Sequence, residues 1–416
     1  MKYRNLLFIF LLSVFASCSK DPELEPDTPP STFKVRIDNV IHETYFDSYP
    51  QGPSLNVPYL VMSGLPEGEK LLAFGGYYSP ENPNPDGSDY TFIHDCADDE
   101  LIQGWDWTQE LIYSAGWIDL PIPGKTYYFK GVVRTNKAVY YSNTVTINTD
   151  GLPGYTPGPQ DRVLPVVFHV MPRKDGTYPH PYFFDEMLAC ANRLYRNVWP
   201  LPGLADAGIR FVPATHAPDG TALSTPGIHY LDERYELDRD ISYEELRQWV
   251  GDNLWEMTEV INVWVSPFIN DDIASEGTST AGFTYLPLFD SEEMLQGGNT
   301  ARPGCFSGIF LNQAEVGNGY CNSGIAVFAH EAGHYLGLDH VFEEDWCDDT
   351  PQYDRARYRT EQYIPGIDTY LRYPIDASAE PYTALNVMDY DIVIYSGITP
   401  QQAERVRYTL QHACLV

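Results

Sequence analysis

The chain has 416 residues, with 26 Lys and Arg against 58 Asp and Glu, a formal net charge of −32. Such an acidic chain repels phosphate backbones and anionic lipid headgroups, which argues against nucleic acids and anionic membrane surfaces as partners. The length calls for two domains, and 43% hydrophobic and 14% aromatic content is enough to fill a core in each.

The N-terminus reads as a targeting segment. Lys2 and Arg4 precede a short apolar run, Leu6 to Ala16, too short to span a membrane as a helix. It runs into Ala16-Ser17-Cys18, which resembles a bacterial lipobox with Phe15 in place of the commoner leucine. The resemblance implies removal of residues 1–17 and a lipid on Cys18. Ser19-Lys20-Asp21, with Glu23 and Glu25, resembles the acidic export signal of Bacteroidetes surface lipoproteins, whose alternative is a plain charged tether. The expectation is an outer-membrane lipoprotein facing outward, or else the periplasm, touching the membrane through its lipid alone. Residues 18–31, rich in proline, read as a linker.

Residues 32–150 read as an all-β sandwich. Lys125 to Val133 and Ala138 to Ile147 are rich in aromatic and β-branched residues and are separated by turn signals. Pro123-Gly124-Lys125-Thr126-Tyr127 followed by Tyr140-Tyr141-Ser142-Asn143 resembles the end of a fibronectin type III domain, which would make Tyr127 a tyrosine-corner residue. Trp105 and Trp107 are expected to pack in the core rather than bind. The domain is expected to be a spacer or docking module. Residues 151–161, rich in Gly and Pro, form a second linker.

If Cys18 is lipidated, six cysteines remain, an even number that permits disulfides in an exported chain. The first guesses are Cys305 with Cys321 and Cys190 with Cys414. Cys96 raises a separate idea, a thiolate that blocks a metal site, although its neighbours support this poorly.

Residues 162–416 alternate strands and helices: a central strand over Val163 to Met171, a helix over Phe184 to Val198, a strand at Ile209 to Val212, and a helix from Tyr243 to about Glu259. Strands at Val260 to Val265, Ala281 to Pro287 and Gly308 to Asn312 follow. His169, inside the first strand, is expected to be a core histidine. Then comes Phe328 to Phe342, with His330, Glu331, His334, Gly337 and His340. Histidines four apart share one helical face, so His330 and His334 can bind one zinc ion from the same side. Gly337 can end the helix with a sharp turn that brings His340 round as third ligand, leaving a fourth position open. With 10 histidines in the chain, chance yields the short pattern in about 1 in 100 such sequences, and the extended one in roughly 1 in 10,000. An incidental core helix is therefore a poor account. Glu331 can take a proton from a zinc-activated water, which gives metal-assisted hydrolysis.

These residues resemble the metzincin metalloproteases, whose motif is H-E-x-x-H-x-x-G-x-x-H followed by a Met-turn. Asn386-Val387-Met388-Asp389-Tyr390 and Cys347-Asp348-Asp349-Thr350-Pro351 are most similar to the pappalysin branch. The resemblance implies a mixed five-stranded sheet, an active-site helix, Met388 as the floor under zinc, and Tyr390 beside the reacting carbonyl. It also implies an edge strand, assigned to Ala281, Gly282 and Phe283, that pairs with an extended peptide. Carboxylates near Glu343, Glu344, Asp345, Asp348 and Asp349 would suit structural calcium, or form a solvated acidic loop. Thr399-Pro400 should start a last helix running to about His412.

The function expected is a zinc endopeptidase acting on protein or peptide segments as a monomer. Its alternatives are a non-proteolytic zinc-containing adhesin or glycan-binding lipoprotein, and a hydrolase of non-peptide amides.

Overall fold

The computed structural model describes residues 33–38, 55–56, 59–114, 117–118, 124–148, 161–198, 201–238, 242–268, 281–287, 308–316, 321–342, 345–355, 363–364, 369–376, 378–383, 385–390 and 397–413. The signal segment, Cys18, both linkers up to residue 160, Cys305, Cys414, Glu343 and Glu344 lie outside them. Among the described residues no helix is long and apolar enough to cross a membrane.

The N-terminal part runs β1 (Lys34–Ile37), β2 (Leu55–Asn56), β3 (Tyr59–Ser63), β4 (Leu71–Ser79), β5 (Tyr90–Asp95), α1 (Glu100–Gln103), β6 (Leu111–Ser114), β7 (Trp117–Ile118), β8 (Thr126–Thr135) and β9 (Val139–Asn148). Strands β1-β3-β6 form one antiparallel sheet, β5-β4-β8-β9 another, and β2 pairs with β7. The two larger sheets face each other. Phe74 of β4 meets Tyr113 of β6 edge-on at 4.6 Å. At Gly131 they come so close that a Cβ would sit 2.5 Å from Leu60 Cδ1. Trp107 packs on Phe33, as expected, while Trp105 stays exposed.

The C-terminal part runs β10 (Arg162–Val170), α2 (Pro181–Tyr195), β11 (Ile209–Pro213), β12 (Ile228–Tyr230), α3 (Tyr243–Val250), β13 (Ile261–Ser266), β14 (Gly282–Thr284), β15 (Ile309–Asn312), α4 (Cys321–Tyr335), β16 (Tyr363–Ile364), β17 (Thr369–Arg372), β18 (Tyr382–Thr383) and α5 (Pro400–His412). The main sheet has the order β11-β10-β13-β15-β14, with β12 added beside the far end of β10. All pairings are parallel except β14 on β15. Helix α2 packs on α4, where the Tyr195 hydroxyl donates to the Ala329 carbonyl at 2.9 Å. This is the mixed sheet expected, enlarged by β12.

Two local expectations change. Helix α3 ends at Val250, not near Glu259, because Gly251 takes φ +48° and turns the chain away. Trp255 and Met257, beyond that break, are buried from a loop. Helix α2 begins three residues early, because Pro181 is well suited to a first helical position. His169 behaves as expected. It is fully buried between Asn262 (2.9 Å) and His229 (2.9 Å), and burial holds its imidazole neutral.

The junction between the two parts is not a loose one. Tyr127, expected at a tyrosine corner, sends its hydroxyl to Glu186 of α2 at 3.1 Å. Tyr182 donates to Asp89 at 3.0 Å, and Tyr90 packs edge-on against Phe183 at 4.4 Å. Tyr90, Tyr127, Tyr182 and Phe183 are essentially inaccessible, so the two cores run together here. The sandwich thus packs directly on α2.

Burial pushes the Glu186 carboxyl up to about 7 from 4.5, against the pull of the neighbouring phenols. The unfolded chain therefore loses this proton first as pH rises, so Glu186 lowers stability progressively between about 4.5 and 7. The contribution amounts to roughly 3 kcal/mol at most. Glu186→Gln keeps the acceptor for Tyr127 and removes the titration. Its melting temperature should exceed that of the unaltered protein above pH 7 and converge with it near pH 4. Parallel curves across that range would contradict this.

Candidate metal site and cleft

Helix α4 is buried all round over Ile325 to Ala329, where it packs against the sheet and α2. Its 3.6-residue period puts His330 and His334 on one side, one turn apart, with Glu331 next to the first. The helix closes as the sequence predicts. Gly337 takes φ +87°, Gly337 N–H donates to the His334 carbonyl at 2.9 Å, and Leu338 N–H donates to the Gly333 carbonyl at 2.9 Å. The turn brings His340 back until its Nε2 lies 3.2 Å from His334 Nε2.

The tautomers follow from the outer contacts. His330 Nδ1 lies 2.8 Å from the Val387 carbonyl and His334 Nδ1 2.8 Å from the Leu338 carbonyl. A carbonyl only accepts, so both Nδ1 atoms carry the proton and both Nε2 lone pairs point into the cluster. One nitrogen from each of the three rings falls within 4.8 Å of the others. Tetrahedral zinc with arms of ~2.05 Å places its ligand nitrogens about 3.3 Å apart, close to the His334–His340 separation. Burial, then mutual repulsion, depresses the pKa of His330 and His340, and burial depresses that of His334, so all three imidazoles are held in the neutral form that ligates. The donor set therefore fits zinc. Among the described residues no other group of His, Cys, Asp or Glu has such an arrangement.

Glu331 is buried beside the cluster, and its Oε2 has no hydrogen-bond partner. Burial pushes its carboxyl up to about 8, the Thr284 hydroxyl nearby pulling the other way. A cation among the histidines would draw it down again. Strand β14 passes directly over this side chain. A Cβ on Gly282 would meet Glu331 Cγ, Val327 Cγ1 and the Phe310 carbonyl, all at 3.0 Å. Ala281, Gly282 and Phe283 thus lie where the edge strand was expected, antiparallel to β15. Among the described residues β14 pairs with no other strand.

The segment Asn386–Tyr390 lies under the histidines and is tied down at each end. Met388 N–H donates to Asn386 Oδ1 at 2.9 Å, Asn386 Nδ2 donates to Gln402 Oε1 at 2.8 Å, and Val387 N–H donates to the Gly397 carbonyl at 2.9 Å. Met388 is fully buried. Tyr390 is 44% exposed, with its ring 4.6 Å from His340 and 6.3 Å from His330. The structure therefore brings His330, His334, His340, Glu331, Met388, Tyr390 and β14 together.

Several contributors escaped sequence reasoning. Gly333 is one: a Cβ there would lie 2.2 Å from Met388 Sδ and 2.8 Å from the Tyr195 hydroxyl. The glycine lets the Met-turn approach the helix between two ligands. Gly333→Ala should cost about 1–3 kcal/mol by overpacking and weaken metal binding, because His330 and His334 flank the clash. Melting curves and a metal titration would check this, and wild-type values in both would refute it. A small residue inside a metal-binding helix was the available signal. Asp349 is another. It accepts from Thr399 Oγ1 at 2.7 Å and from Gln401 N–H at 3.0 Å, so the Asp-Thr-Pro stretch anchors the start of α5. Asp345 is likewise engaged, by Thr350 at 2.6 Å and Cys347 N–H at 3.2 Å. These carboxylates serve the loop itself and form no calcium cage among the described residues.

Cys96 is buried within the N-terminal sandwich, where burial pushes its thiol up to about 12. It is not one of the side chains gathered at the histidines, so the blocking thiolate finds no support. Cys96 and Cys347 are free thiols. Each guessed disulfide, Cys305 with Cys321 and Cys190 with Cys414, involves a residue outside the described set.

Residues 245–411, from α3 to α5, match the model of the peptidase family described as Pregnancy-associated plasma protein-A. No curated protein matches the chain. Among solved structures, mirolysin in complex with compound 9 is 17% identical at a TM-score of 0.43, covering 60% of this chain and 91% of that one. Tannerella forsythia mature mirolysin in complex with a cleaved peptide is 19% identical at 0.41, covering 60% and 92%. A mutant of Tannerella forsythia promirolysin is 18% identical at 0.42, covering 62% and 83%.

Proposed function

We propose, from the match of residues 245–411 to the peptidase family described as Pregnancy-associated plasma protein-A, that this chain is a zinc metalloendopeptidase that cuts extended polypeptide segments at the bacterial cell envelope, with Glu331 as its general base. The observation that carries the reading is the cluster itself. Three neutral imidazoles converge beside a buried carboxylate with an unpartnered oxygen, under a sheet edge. His330, His334 and His340 would hold the ion, which supplies Lewis acidity and a water acidified towards neutrality.

Glu331 Oε2 takes a proton from the attacking water and returns it to the departing amine. The Tyr390 hydroxyl, on an exposed ring beside His340, donates to the carbonyl oxygen as charge develops there. The outer edge of β14 pairs with the substrate backbone, which favours unfolded or exposed segments. The lipobox-like Ala16-Ser17-Cys18 supports attachment to the outer membrane by a lipid.

The test is cleavage of a diverse peptide library by the soluble protein from Ser19 onward, read by mass spectrometry beside a chelated sample. New termini produced only by the metal-loaded protein are expected. Equal cleavage after chelation, or none by protein shown to hold its metal, would overturn the reading. The second result would point to a binding module.

A further inference from the structure

Arg355 stands beside the histidine cluster, on the aromatic rings that neighbour His340. Its guanidinium carbon sits 4.1 Å over the ring of Tyr390 and 4.6 Å over that of Phe342. Phe342 in turn stacks on His340, with ring centroids 4.9 Å apart and planes 12° from parallel. Arg355 therefore stands one aromatic layer from a metal ligand, on the residue placed to touch the substrate carbonyl.

The chain carries 58 carboxylates against 26 cationic side chains, so most arginines have acidic neighbours to choose from. Arg36, Arg196, Arg234 and Arg372 all pair with carboxylates. Arg355 is exposed, and among the described residues no carboxylate lies within ion-pair distance of it. Stacking engages the faces of a guanidinium and leaves its in-plane N–H fork directed outward. That fork matches a carboxylate with two parallel hydrogen bonds.

We propose that Arg355 receives an acidic side chain of the substrate, giving the cleft a preference for peptides with Glu or Asp close to the scissile bond. The proposal rests on the peptidase reading of the same site. The long-range field of an acidic protein opposes such substrates, but it is screened beyond about 8 Å at physiological salt, while a bidentate contact acts within hydrogen-bond reach. Arg355 is a specificity residue here, and Tyr390 keeps its own role.

The experiment compares matched peptides bearing Glu, Gln or Lys at each position flanking one cleavage site. The enzymes are wild type, Arg355→Gln, Arg355→Lys and Arg355→Glu. Wild type should favour Glu over Gln by about tenfold in kcat/KM at one position. Arg355→Gln should erase that ratio, Arg355→Lys should keep part of it, and Arg355→Glu should shift the preference to Lys. A second arm measures binding of the same peptides to the Glu331→Gln protein, without turnover, and should give the same order. The proposal is overturned if wild type shows no Glu preference, or if Arg355→Gln lowers kcat/KM equally for all three peptides. In the latter case Arg355 only props the Tyr390 ring. Failure of every metal-loaded enzyme to cut any peptide would instead remove the peptidase reading, and the binding arm would still decide the charge preference.

Discussion

A Glu331→Gln protein is expected to fold, to bind its metal, and to lose peptide turnover by roughly a thousandfold. Gln has the same shape, so it keeps the close fit under Gly282 that the 3.0 Å approach to Glu331 Cγ demands. It also carries no charge. Burial already disfavours the Glu331 carboxylate, so removing that charge should leave the melting temperature unchanged or raised at neutral pH. Loss of activity with retained stability and retained metal isolates the proton-accepting role. Side-by-side kinetics, melting and metal analysis would check all three. Turnover within tenfold of wild type would remove Glu331 from the mechanism.

Asp389→Ala should have the largest effect on stability. Asp389 and Arg372 are both inaccessible to solvent, and Arg372 Nε donates to Asp389 Oδ2 at 2.9 Å. The other carboxylate oxygen accepts from the Tyr353 hydroxyl at 2.8 Å and from Tyr390 N–H at 2.7 Å. Cutting back the carboxylate strands a guanidinium in the core, at a cost of about 3–5 kcal/mol. For a domain of this size the melting point should fall by roughly 10 °C. It also releases Tyr390, so activity should drop further than the unfolded fraction explains. The double variant Arg372→Met with Asp389→Leu should recover most of the stability, because two well-packed apolar side chains can replace a buried pair. It should not recover the activity, because the Tyr390 anchor is still missing. A single variant as stable as wild type would show that the pair is not buried as described.

The metal site was legible in the sequence because its geometry is local. His330 and His334 lie one turn apart, Glu331 sits beside the first, and Gly337 marks the turn that returns His340, all within a single helix and its cap. The order of strands was legible for a similar reason: Val166 to Val170 and Ile261 to Val265 are runs broken only by His169 and Asn262, close to the pattern of strands buried on both faces. What stayed hidden depends on the chain meeting itself far along the sequence. Tyr127 and Glu186, Arg372 and Asp389, and Gly333 and Met388 are each separated by many residues. None of these pairings leaves a periodicity to read. Tyr127 looked like part of a self-contained sandwich because its neighbours match one, and only the packing of α2 against β5 and β8 shows where its hydroxyl goes. The end of α3 was overrun because Leu246, Val250, Leu254 and Met257 keep a helical spacing across Gly251, whose positive φ ends the helix. Arg355 was hidden in an acidic, loop-rich stretch where a cation suggests charge balance, and its stacking on Tyr390 depends on the fold.

The most direct test of the account is a titration of metal-free protein with zinc, following bound ion and peptide turnover in the same samples. The account predicts one ion per chain, with turnover rising in proportion to occupancy, and loss of both in a His340→Ala protein. Full turnover by metal-free protein, or saturation by an ion that leaves turnover unchanged, would contradict it.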